Sequence, residues 1–550
     1  MSNSEVRALP VDEQKPPFQN PGKVFAGPIP KCFIYIFASC ILQWTQGLGA
    51  NLVQVNIYQL TGDFHATTTE VSWLVSAYMI PNVSFAIILI KIRTQYGLRS
   101  FAELSIIGFA LVSMMHLFVH DLQSALIIRF FAGIAAAPMS SLAFFYMIEA
   151  FAPEKKRTVG LSLNLMNVAL AIPIARLVSP HLIDNAGFHG LYMFEAGLSL
   201  IGFACIFKLP LTPIPRANVI EKMDIVSYGL IAVGLGINAA IMPVGRFYWW
   251  REAPWIGWWL AFAILLLTIA VVIELNRKNP LIDLRWLFSP QMLHIAIVLM
   301  VFRVLLSEQA TLASNFFYLF GLLNSELRTL HLFVFLGTII GGFTCVFFYK
   351  TGREDEFHIV ALILLATGSW IDSHATNLTR PENMYLSQAM IACGGALFLP
   401  PSMAAGLATA MARGPQYILS FIAVFLFTQS TGGIMSSAFF GSMQIIFEKY
   451  HSSILVSDLT MTNPIVAAKV NQYSSAYSHV LTDNVLQNAQ GVALLAKKTT
   501  LEANILAYND VFRLYSVIAI SFLIFLLLKI CFRHLKKWQQ KQNITKPQLA

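Results

Sequence analysis

The stretch GWWLAFAILLLTIAVVIEL (Gly257–Leu275) decides the fold, because its only charge, Glu274, lies next to its end. A helix of about twenty apolar residues is long enough to cross the hydrocarbon core of a bilayer. Similar stretches recur along the chain, which is 56% hydrophobic and 12% charged, with a mean hydropathy of +0.64. Soluble domains carry about 25% charged residues. The sequence therefore predicts an all-α, polytopic membrane protein.

Fourteen apolar windows predict fourteen transmembrane helices. They cover residues 32–58, 70–90, 101–119, 122–148, 158–183, 191–207, 225–243, 257–275, 292–318, 328–349, 357–373, 384–411, 417–446 and 511–531. Lysine and arginine concentrate in alternate loops, such as EAFAPEKKRTVG (149–160) and NRKNPLIDLRW (276–286). By the positive-inside rule this pattern predicts that both termini are cytoplasmic. The net charge of +9 is thereby explained by membrane topology, without nucleic-acid binding.

Three segments differ in composition from the apolar windows. Residues 1–30 are polar and proline-rich and predict a disordered cytoplasmic tail, and residues 533–550 predict a basic cytoplasmic tail. Residues 448–510 predict a long periplasmic loop, in which residues 484–510 have the pattern of an amphipathic helix. That loop is either a solvated surface or a docking element for a periplasmic protein.

The sequence lacks the motifs that are typical of disulfide frameworks, metal sites and catalytic sites. The six cysteines include no close C-x-x-C pair and no histidine cluster accompanies them, so neither a disulfide framework nor a metal site is expected. No phosphate loop, paired metal-ligand motif or nucleophile motif is present. The sequence therefore predicts neither an enzyme nor a cofactor-binding protein.

Four motifs together resemble one family. They are TQYGLRS (94–100) after the second helix, LIIRFFAG (126–133) in the fourth, NPLIDLRWLF (279–288) after the eighth, and LEANILAYNDVFRLYSV (501–517) before the last. This set is similar to the EmrB/QacA-type, fourteen-helix drug:proton antiporters of the major facilitator superfamily, in their EmrB-like branch. The resemblance implies a six-helix bundle over 31–208, a cytoplasmic loop and two linker helices over 209–276, and a second six-helix bundle over 277–532. The substrate site would lie between the bundles, near the bilayer midplane.

The resemblance also implies a function. It predicts a proton-coupled efflux transporter in the inner membrane of a Gram-negative bacterium, expelling amphipathic or aromatic toxic compounds with the proton gradient as its energy source and no cofactor. An HlyD-type periplasmic adaptor and an outer-membrane channel would complete a tripartite pathway. Two alternatives stay open. One is a dedicated exporter of an anionic metabolite such as a siderophore or aromatic acid, and the other is a non-transporting receptor or scaffold with the same fold.

The family motifs are kept unevenly. Gly97 and Arg99 preserve part of the conformational loop motif after the second helix, and Arg129 preserves the fourth-helix motif. Gly49 stands where the family often has an aspartate linked to proton coupling. Arg176 replaces the glycine of the Gly-Pro pair in the fifth-helix antiporter motif, and Glu195 replaces a common asparagine of the sixth helix.

Charged residues inside apolar windows are the candidates for proton coupling. An arginine at a helix centre costs about 2.5–3.5 kcal/mol on insertion scales, so each is expected to have a role. The predicted charge network comprises Arg129, Arg176, Glu195, Arg303 and Glu308. Arg176 has three possible roles: an ion pair with Glu195, contact with an anionic substrate, or snorkelling to the interface. Glu195 and Glu308 are the interior carboxylates that could carry protons, with a static ion pair as the alternative.

Polar residues on two helices predict the lining of a substrate cavity. Those on the first helix fall within a sector of roughly 140° at 100° per residue, and those on the fifth are spaced i, i+3. Intramembrane polar residues usually face the bundle interior or a cavity, although interhelical hydrogen bonding would also explain them. The candidates are Gln43, Gln46, Asn51, Gln54, Asn164 and Asn167.

Overall fold

The computed structural model describes residues 24–213, 216–306, 312–414 and 416–545, and these form helices joined by short connections. The predicted N-terminal tail lies almost wholly outside the described residues, and Glu308 lies outside them too. The helices are α1 (Ile29–Val55), α2 (Ile57–Asp63), α3 (Thr68–Tyr96), α4 (Leu98–Met115), α5 (Leu122–Glu149), α6 (Leu161–Lys208), α7 (Lys222–Val244), α8 (Pro254–Asn276), α9 (Leu284–Leu287), α10 (Pro290–Leu305), α11 (Ala313–Tyr318), α12 (Arg328–Phe348), α13 (Glu354–Asp372), α14 (Tyr385–Arg413), α15 (Gln416–Ser457), α16 (Pro464–Ser475) and α17 (Asn484–Thr545).

Within the described ranges, eleven helices are long and apolar enough to cross a membrane. The continuous helix α6 contains two of the predicted windows, which meet at a break in the helix at Ala186 and Gly187. Two further windows correspond to α10, a shorter apolar helix, and to α13, whose first turn carries three acidic residues. The predicted set of apolar segments is therefore present, and the 292–318 window contains α10 and α11, with residues 307–311 outside the described residues.

The break in α6 depends on a glycine. Gly187 has φ +53°, and a Cβ there would lie 2.7 Å from the Asp63 carboxylate. That carboxylate accepts a hydrogen bond from the Phe188 backbone N–H at 2.9 Å, so it caps the second limb of α6 (188–208). The first limb (161–185) and the second limb thereby become two antiparallel helices.

The N-terminal half is held together by close helix contacts. Helix α1 packs against α5 and α6, and α3 packs against α5. A Cβ at Gly133 of α5 would lie 2.1 Å from the Tyr78 carbonyl of α3, so only glycine permits this approach. Lipid tails are as apolar as the helix surfaces, so the hydrophobic effect does not drive helices together in a bilayer. Helices associate instead through close van der Waals packing, which small residues permit.

The C-terminal half repeats this construction. Helix α12 packs against α14, α13 against α14 and α17, and α15 against α10 and α17. At Gly337 a Cβ would lie 2.4 Å from the Ala389 carbonyl of α14. The halves meet where α6 packs against α12 and α14, and where α3 packs against α15. This contact region positions the site described below.

The two linker helices lie beside α3. Helix α7 packs against α3 and α15, and α8 packs against α7. On α8 the buried positions include Ile256, Ala263 and Ala270, a seven-residue repeat that marks one narrow face. The remaining surface of α8 is apolar and exposed, as expected of a helix that faces lipid on most sides.

The predicted 448–510 loop contains more helix than expected. Helix α15 continues to Ser457, α16 occupies 464–475, and α17 begins at Asn484. His451 contacts Asp510 at 2.6 Å, and Gln444 donates to Asn504 at 2.8 Å. The predicted amphipathic helix is thus the start of α17, which also continues to Thr545 through most of the predicted C-terminal tail. Hydropathy windows miss these polar extensions because they detect only the apolar part of a helix.

Candidate transport site

A cavity of about 230 Å³ lies between the two halves. Apolar side chains such as Met79, Phe144 and Phe425 form part of its wall. Its polar lining residues are Gln43, Gln46, Asn51, Gln54, Ser72, Asn82, Ser140, Ser141, Asn164, Gln429, Ser430 and Ser437. Apolar walls with a few polar groups are typical of small-molecule sites.

We call the four polar residues predicted on α1 the α1 stripe, and the structure brings all of them to this cavity: Gln43, Gln46, Asn51 and Gln54. Gln43 donates to Gln46 at 3.2 Å, and Asn51 donates to the Gly47 carbonyl at 2.7 Å. Asn164 joins them from α6, with its buried Oδ1 lacking a hydrogen-bond partner. Donors and acceptors are therefore available to a bound molecule.

Asn167 is the exception among the candidates for the cavity lining. It is buried and its side-chain nitrogen donates to the Cys40 sulfur at 2.8 Å. It is not among the lining residues of the cavity. The i, i+3 spacing placed both asparagines on one side of the helix, but α1 covers Asn167.

Two arginines also line the cavity. Arg303 on α10 was a predicted charge-network residue, and its Nε donates to the Gln429 carbonyl at 3.1 Å. Arg246, two residues beyond α7, was not predicted because it lies in a connection and not within an apolar window. Among the described lining residues none is acidic.

Arg129 lies at the centre of a buried polar cluster behind α1. Its Nη1 donates to the Gly49 carbonyl at 2.6 Å and to the Tyr192 hydroxyl at 3.0 Å, and its Nε donates to the Leu74 carbonyl at 3.3 Å. The guanidinium carbon lies 4.4 Å from the centre of the Tyr78 ring. Arg129 therefore joins three helices and the second limb of α6.

Glu195 belongs to the same cluster. Its Oε1 accepts a 3.3 Å hydrogen bond from Ser113, whereas its buried Oε2 has no hydrogen-bond partner. Arg129 acts on it electrostatically, although the two side chains do not form an ion pair within 4.0 Å. A Cβ at Gly49 would lie 2.9 Å from Oε1. The carboxylate of α6 thus fills the space left open by glycine on α1.

Arg176 and Glu195 do not form an ion pair in this conformation, and Arg176 donates to residues of the C-terminal half. Its Nη1 donates to the Tyr318 hydroxyl and to Asn324 Oδ1, both at 3.0 Å. Asn324 in turn donates to the Val55 carbonyl at 2.8 Å and to Asn56 at 2.9 Å.

These contacts place Arg176 in a group of polar residues between the halves. The residue is buried and is absent from the cavity lining. We call Arg176, Tyr318, Asn324, Asn56 and Ser179 the inter-half polar cluster. Ser179 completes it by donating to Asn56 at 3.0 Å. The cluster joins the first limb of α6 to the segment after α11, at the predicted outer end of α1.

The conformational loop motif, which contains Gly97 and Arg99, follows the C-terminal end of α3. Gly97 has φ +85° between α3 and α4, and a Cβ there would lie 2.6 Å from Arg216 Nε. Arg99 makes an exposed ion pair with Glu103 at 2.9 Å. Neither residue contacts the cavity.

A second cluster of charged residues lies near the C-terminal end of α3, and the sequence did not predict that these residues meet. Lys91 of α3 contacts Asp224 of α7 at 2.7 Å, and Arg277 after α8 contacts the same carboxylate at 2.7 Å. Arg277 also contacts Glu274 at 2.8 Å and Glu221 at 3.0 Å. Hydrogen bonds from Asn279 and Arg277 lower the pKa of the Glu221 carboxyl. We call these residues the α3–α7–α8 ion cluster.

The sequence matches the Major Facilitator Superfamily over residues 39–457. It is 23% identical to the probable multidrug resistance protein EmrY of Escherichia coli over 262 residues, 48% of this chain and 50% of EmrY. It is 22% identical to the fatty acid resistance protein FarB of Neisseria gonorrhoeae over 237 residues, 43% of this chain and 46% of FarB. With the multidrug export protein EmrB of Haemophilus influenzae the identity is 21% over 482 residues, 86% of this chain and 91% of EmrB. The chain thus spans about half the length of the first two relatives.

Solved structures agree on the fold. The human organic anion transporter MFSD10 superposes with a TM-score of 0.50 at 12% identity, covering 90% of this chain and 100% of that one. A POT family transporter in complex with a thioalcohol-conjugated peptide gives a TM-score of 0.51 at 14% identity, covering 86% and 96%. The chain is a multi-pass membrane protein, and it belongs to the major facilitator superfamily.

Proposed function

We propose that this chain is a proton-coupled exporter of amphipathic or aromatic compounds in a bacterial inner membrane, with both termini in the cytoplasm. Relatives named for multidrug export and fatty acid resistance support export as the direction of transport. The cavity between the halves supports an amphipathic substrate, because amide groups and apolar walls face it together. The proton gradient supplies the energy, and no cofactor takes part.

One observation carries the assignment of the proton site. The Glu195 carboxylate is buried, one of its oxygens has no hydrogen-bond partner, and Arg129 lies in the same cluster. A buried carboxylate changes its charge when its environment changes, because burial favours the neutral form and a nearby cation favours the charged form. Glu195 is therefore the proposed proton carrier and Arg129 its electrostatic partner.

Helix α1 connects this proton site to the cavity. Gln46 and Asn51 line the cavity, while Gly49, which is not a lining residue, accepts a hydrogen bond from Arg129 through its carbonyl. Protonation of Glu195 changes the force on Arg129 and hence on α1. A substrate that binds the α1 stripe biases the same helix, so the two sites are coupled through one rigid element.

The test is transport by the full chain in proteoliposomes with an imposed pH gradient. Uptake of 2-naphthalenesulfonate and 2-naphthylmethylammonium is measured together with the movement of protons. We expect Glu195→Gln to reduce gradient-driven flux to the level of empty liposomes while substrate binding persists. Asp372→Asn is the matched control, because Asp372 is also buried but both of its oxygens accept hydrogen bonds, from Ser387 and Gln388.

Three results would contradict parts of this proposal. If Glu195→Gln transports like the unaltered chain, Glu195 is not the proton carrier. If flux occurs but does not respond to the gradient, the coupling is wrong. If the unaltered chain neither binds nor moves either compound, the receptor or scaffold alternative is favoured.

We further propose that the helical segment formed by the end of α15, α16 and the start of α17 docks an HlyD-type periplasmic adaptor, which leads to an outer-membrane channel. Exposed apolar side chains on this segment support a docking surface, among them Ile465, Val480 and Val485. Co-purification of the chain with a co-expressed HlyD-type adaptor is the test. Ile465→Asp combined with Val485→Asp should abolish co-purification, whereas Lys497→Asp, also on the exposed surface of α17, should not.

A further inference from the structure

The connection between α7 and α8 (245–253) is anchored to both halves of the molecule. Trp250 Nε1 donates to Ser442 Oγ of α15 at 2.8 Å. Trp73 Nε1 of α3 donates to the Tyr248 hydroxyl at 3.3 Å. The Trp250 ring lies so close to Gly245 that a Cβ there would meet it at 2.5 Å. The connection is therefore a packed structural element, and its Arg246 lines the cavity.

Arg246 extends from this connection into the cavity wall. Its guanidinium lies against the backbone of Gly441, where a Cβ would be 2.3 Å from Nη1. Its Nε is buried and has no hydrogen-bond partner, and no ion pair joins Arg246 to any described residue. Arg246 makes a cation–π contact with the Phe247 ring, whose centre lies 4.6 Å from the guanidinium carbon.

Arg246 is half-buried, and a guanidinium whose Nε is buried without a partner is stabilised by an anion. Removing a charge from water costs several kcal/mol unless a partner of opposite charge or hydrogen bonds compensate. The titratable groups that act electrostatically on Arg246 are Tyr58 and Tyr508, and neither is a carboxylate. Since none of the described lining residues is acidic, the compensating anion is expected to come from the bound molecule.

We propose that Arg246 is the anion-recognition residue of the cavity, so that the preferred substrates are amphipathic molecules carrying one carboxylate or sulfonate group. The planar guanidinium can donate two parallel hydrogen bonds to such a group. The apolar body of the molecule would then lie against Met79, Phe144 and Phe425. This assignment also gives the linker helices a role, because their connection supplies the arginine. It rests on the proposed function only in taking the cavity as the transport site.

The test compares three ligands that share a naphthalene ring and differ in charge: 2-naphthalenesulfonate, 2-naphthalenemethanol and 2-naphthylmethylammonium. Equilibrium binding is measured with the full chain in nanodiscs. The unaltered chain should bind the sulfonate most tightly. Arg246→Gln should weaken sulfonate binding by about 10- to 100-fold, the range for a hydrogen bond to a charged group, and leave binding of the alcohol unchanged.

Two further variants control for charge and folding. Arg246→Lys keeps the charge without the planar fork and should recover part of the sulfonate affinity. Arg251→Gln removes an exposed arginine from the same connection and should bind all three ligands like the unaltered chain. Unchanged alcohol binding by Arg246→Gln reports that its cavity is folded.

The outcomes separate this inference from the proposed function. If Arg246→Gln binds the sulfonate normally, if charge does not affect ligand affinity, or if none of the ligands binds, the inference is overturned. If Arg246-dependent binding occurs but a pH gradient drives no flux, the inference stands and the proposed function fails. If flux is driven equally for the sulfonate and the ammonium compound, the proposed function stands and the inference fails.

Discussion

Lys91, Asp224 and Arg277 form a closed ion cluster where three helices meet, whereas Arg129 and Glu195 are buried together without forming an ion pair. In the first group one carboxylate receives two cations at 2.7 Å, and Arg277 contacts Glu274 at 2.8 Å. In the second group the arginine bonds to backbone and hydroxyl oxygens instead.

The difference concerns how firmly each charge is fixed. Direct ion pairs with several hydrogen bonds stabilise one arrangement of helices, so the α3–α7–α8 ion cluster joins the linker helices to the N-terminal half. The Arg129–Glu195 group leaves a carboxylate oxygen without a partner. Its charge state can therefore change without breaking a direct ion pair, which is the property that proton coupling needs.

The largest expected effect is that of Asp224→Asn on stability. This change leaves Lys91 and Arg277, each 9% exposed, without their shared anionic partner. Breaking a buried ion pair by removing one member costs about 3–5 kcal/mol. Reversible unfolding in mixed micelles should show this loss in the free energy of unfolding. Glu103→Gln, in the exposed pair with Arg99, is the control and should cost less than about 1 kcal/mol. Equal losses for the two variants would show that the ion cluster does not act as an anchor.

The second expected effect is that of Asn324→Ala on the equilibrium between conformations. Asn324 accepts hydrogen bonds from Arg176 and Tyr318 and donates to Val55 and Asn56, so it connects the halves of the molecule. Losing a charge-assisted bond and its neighbours should cost the joined state about 1–3 kcal/mol, or 5- to 150-fold in population. Labelling of Ala175→Cys, a buried position on the first limb of α6, should become faster from the predicted outer side. Tyr318→Phe, which removes one hydroxyl, should have a smaller effect, and unchanged labelling in both would exclude a gating role for the cluster.

The cavity lining of α1 could be predicted because it depends on periodicity within one helix. Gln43, Gln46, Asn51 and Gln54 share a sector wherever α1 packs, and the structure brings them all to the cavity. The partners of Arg176 could not be predicted, since Tyr318 and Asn324 are more than 140 positions away in the sequence. Similar depth on adjacent helices made Glu195 a reasonable partner, but helix rotation decides which side chains meet.

Arg246 illustrates a second limit of prediction from sequence. Its role depends on the path of a short connection between two helices, for which hydropathy carries no information. The only signal in the sequence was an arginine directly after an apolar window, in the segment PVGRFYWW (243–250). Aromatic residues in that segment indicate an interface, and the structure shows that they pack on α3 and α15.

The third expected effect is the coupling energy between Arg129 and Glu195. In a double-mutant cycle of Arg129→Gln and Glu195→Gln, we expect a coupling energy of about 0.5–3 kcal/mol in the free energy of unfolding, since the groups interact electrostatically without direct contact. The corresponding cycle for Lys91 and Asp224 should give a larger value. If the first cycle gave zero coupling, Arg129 would not tune the charge of Glu195.

The smallest expected effect is at the edge of the ion cluster. Glu221 contacts Arg277, but its side chain is 46% exposed, so solvent screening limits the effect of Glu221→Gln to below about 1 kcal/mol. Because hydrogen bonds from Asn279 and Arg277 lower the pKa of Glu221, its carboxylate contributes stability above the unfolded pKa of about 4.3. That contribution is lost as the pH falls through the lower pKa of the folded state. Unfolding measured from pH 7 downward should therefore show the difference between Glu221→Gln and the unaltered chain shrinking in acid. If the stability difference between the two proteins grew in acid instead, the anionic form of Glu221 would destabilise the folded protein. The ion pairs of the other members would then form the cluster without a contribution from Glu221.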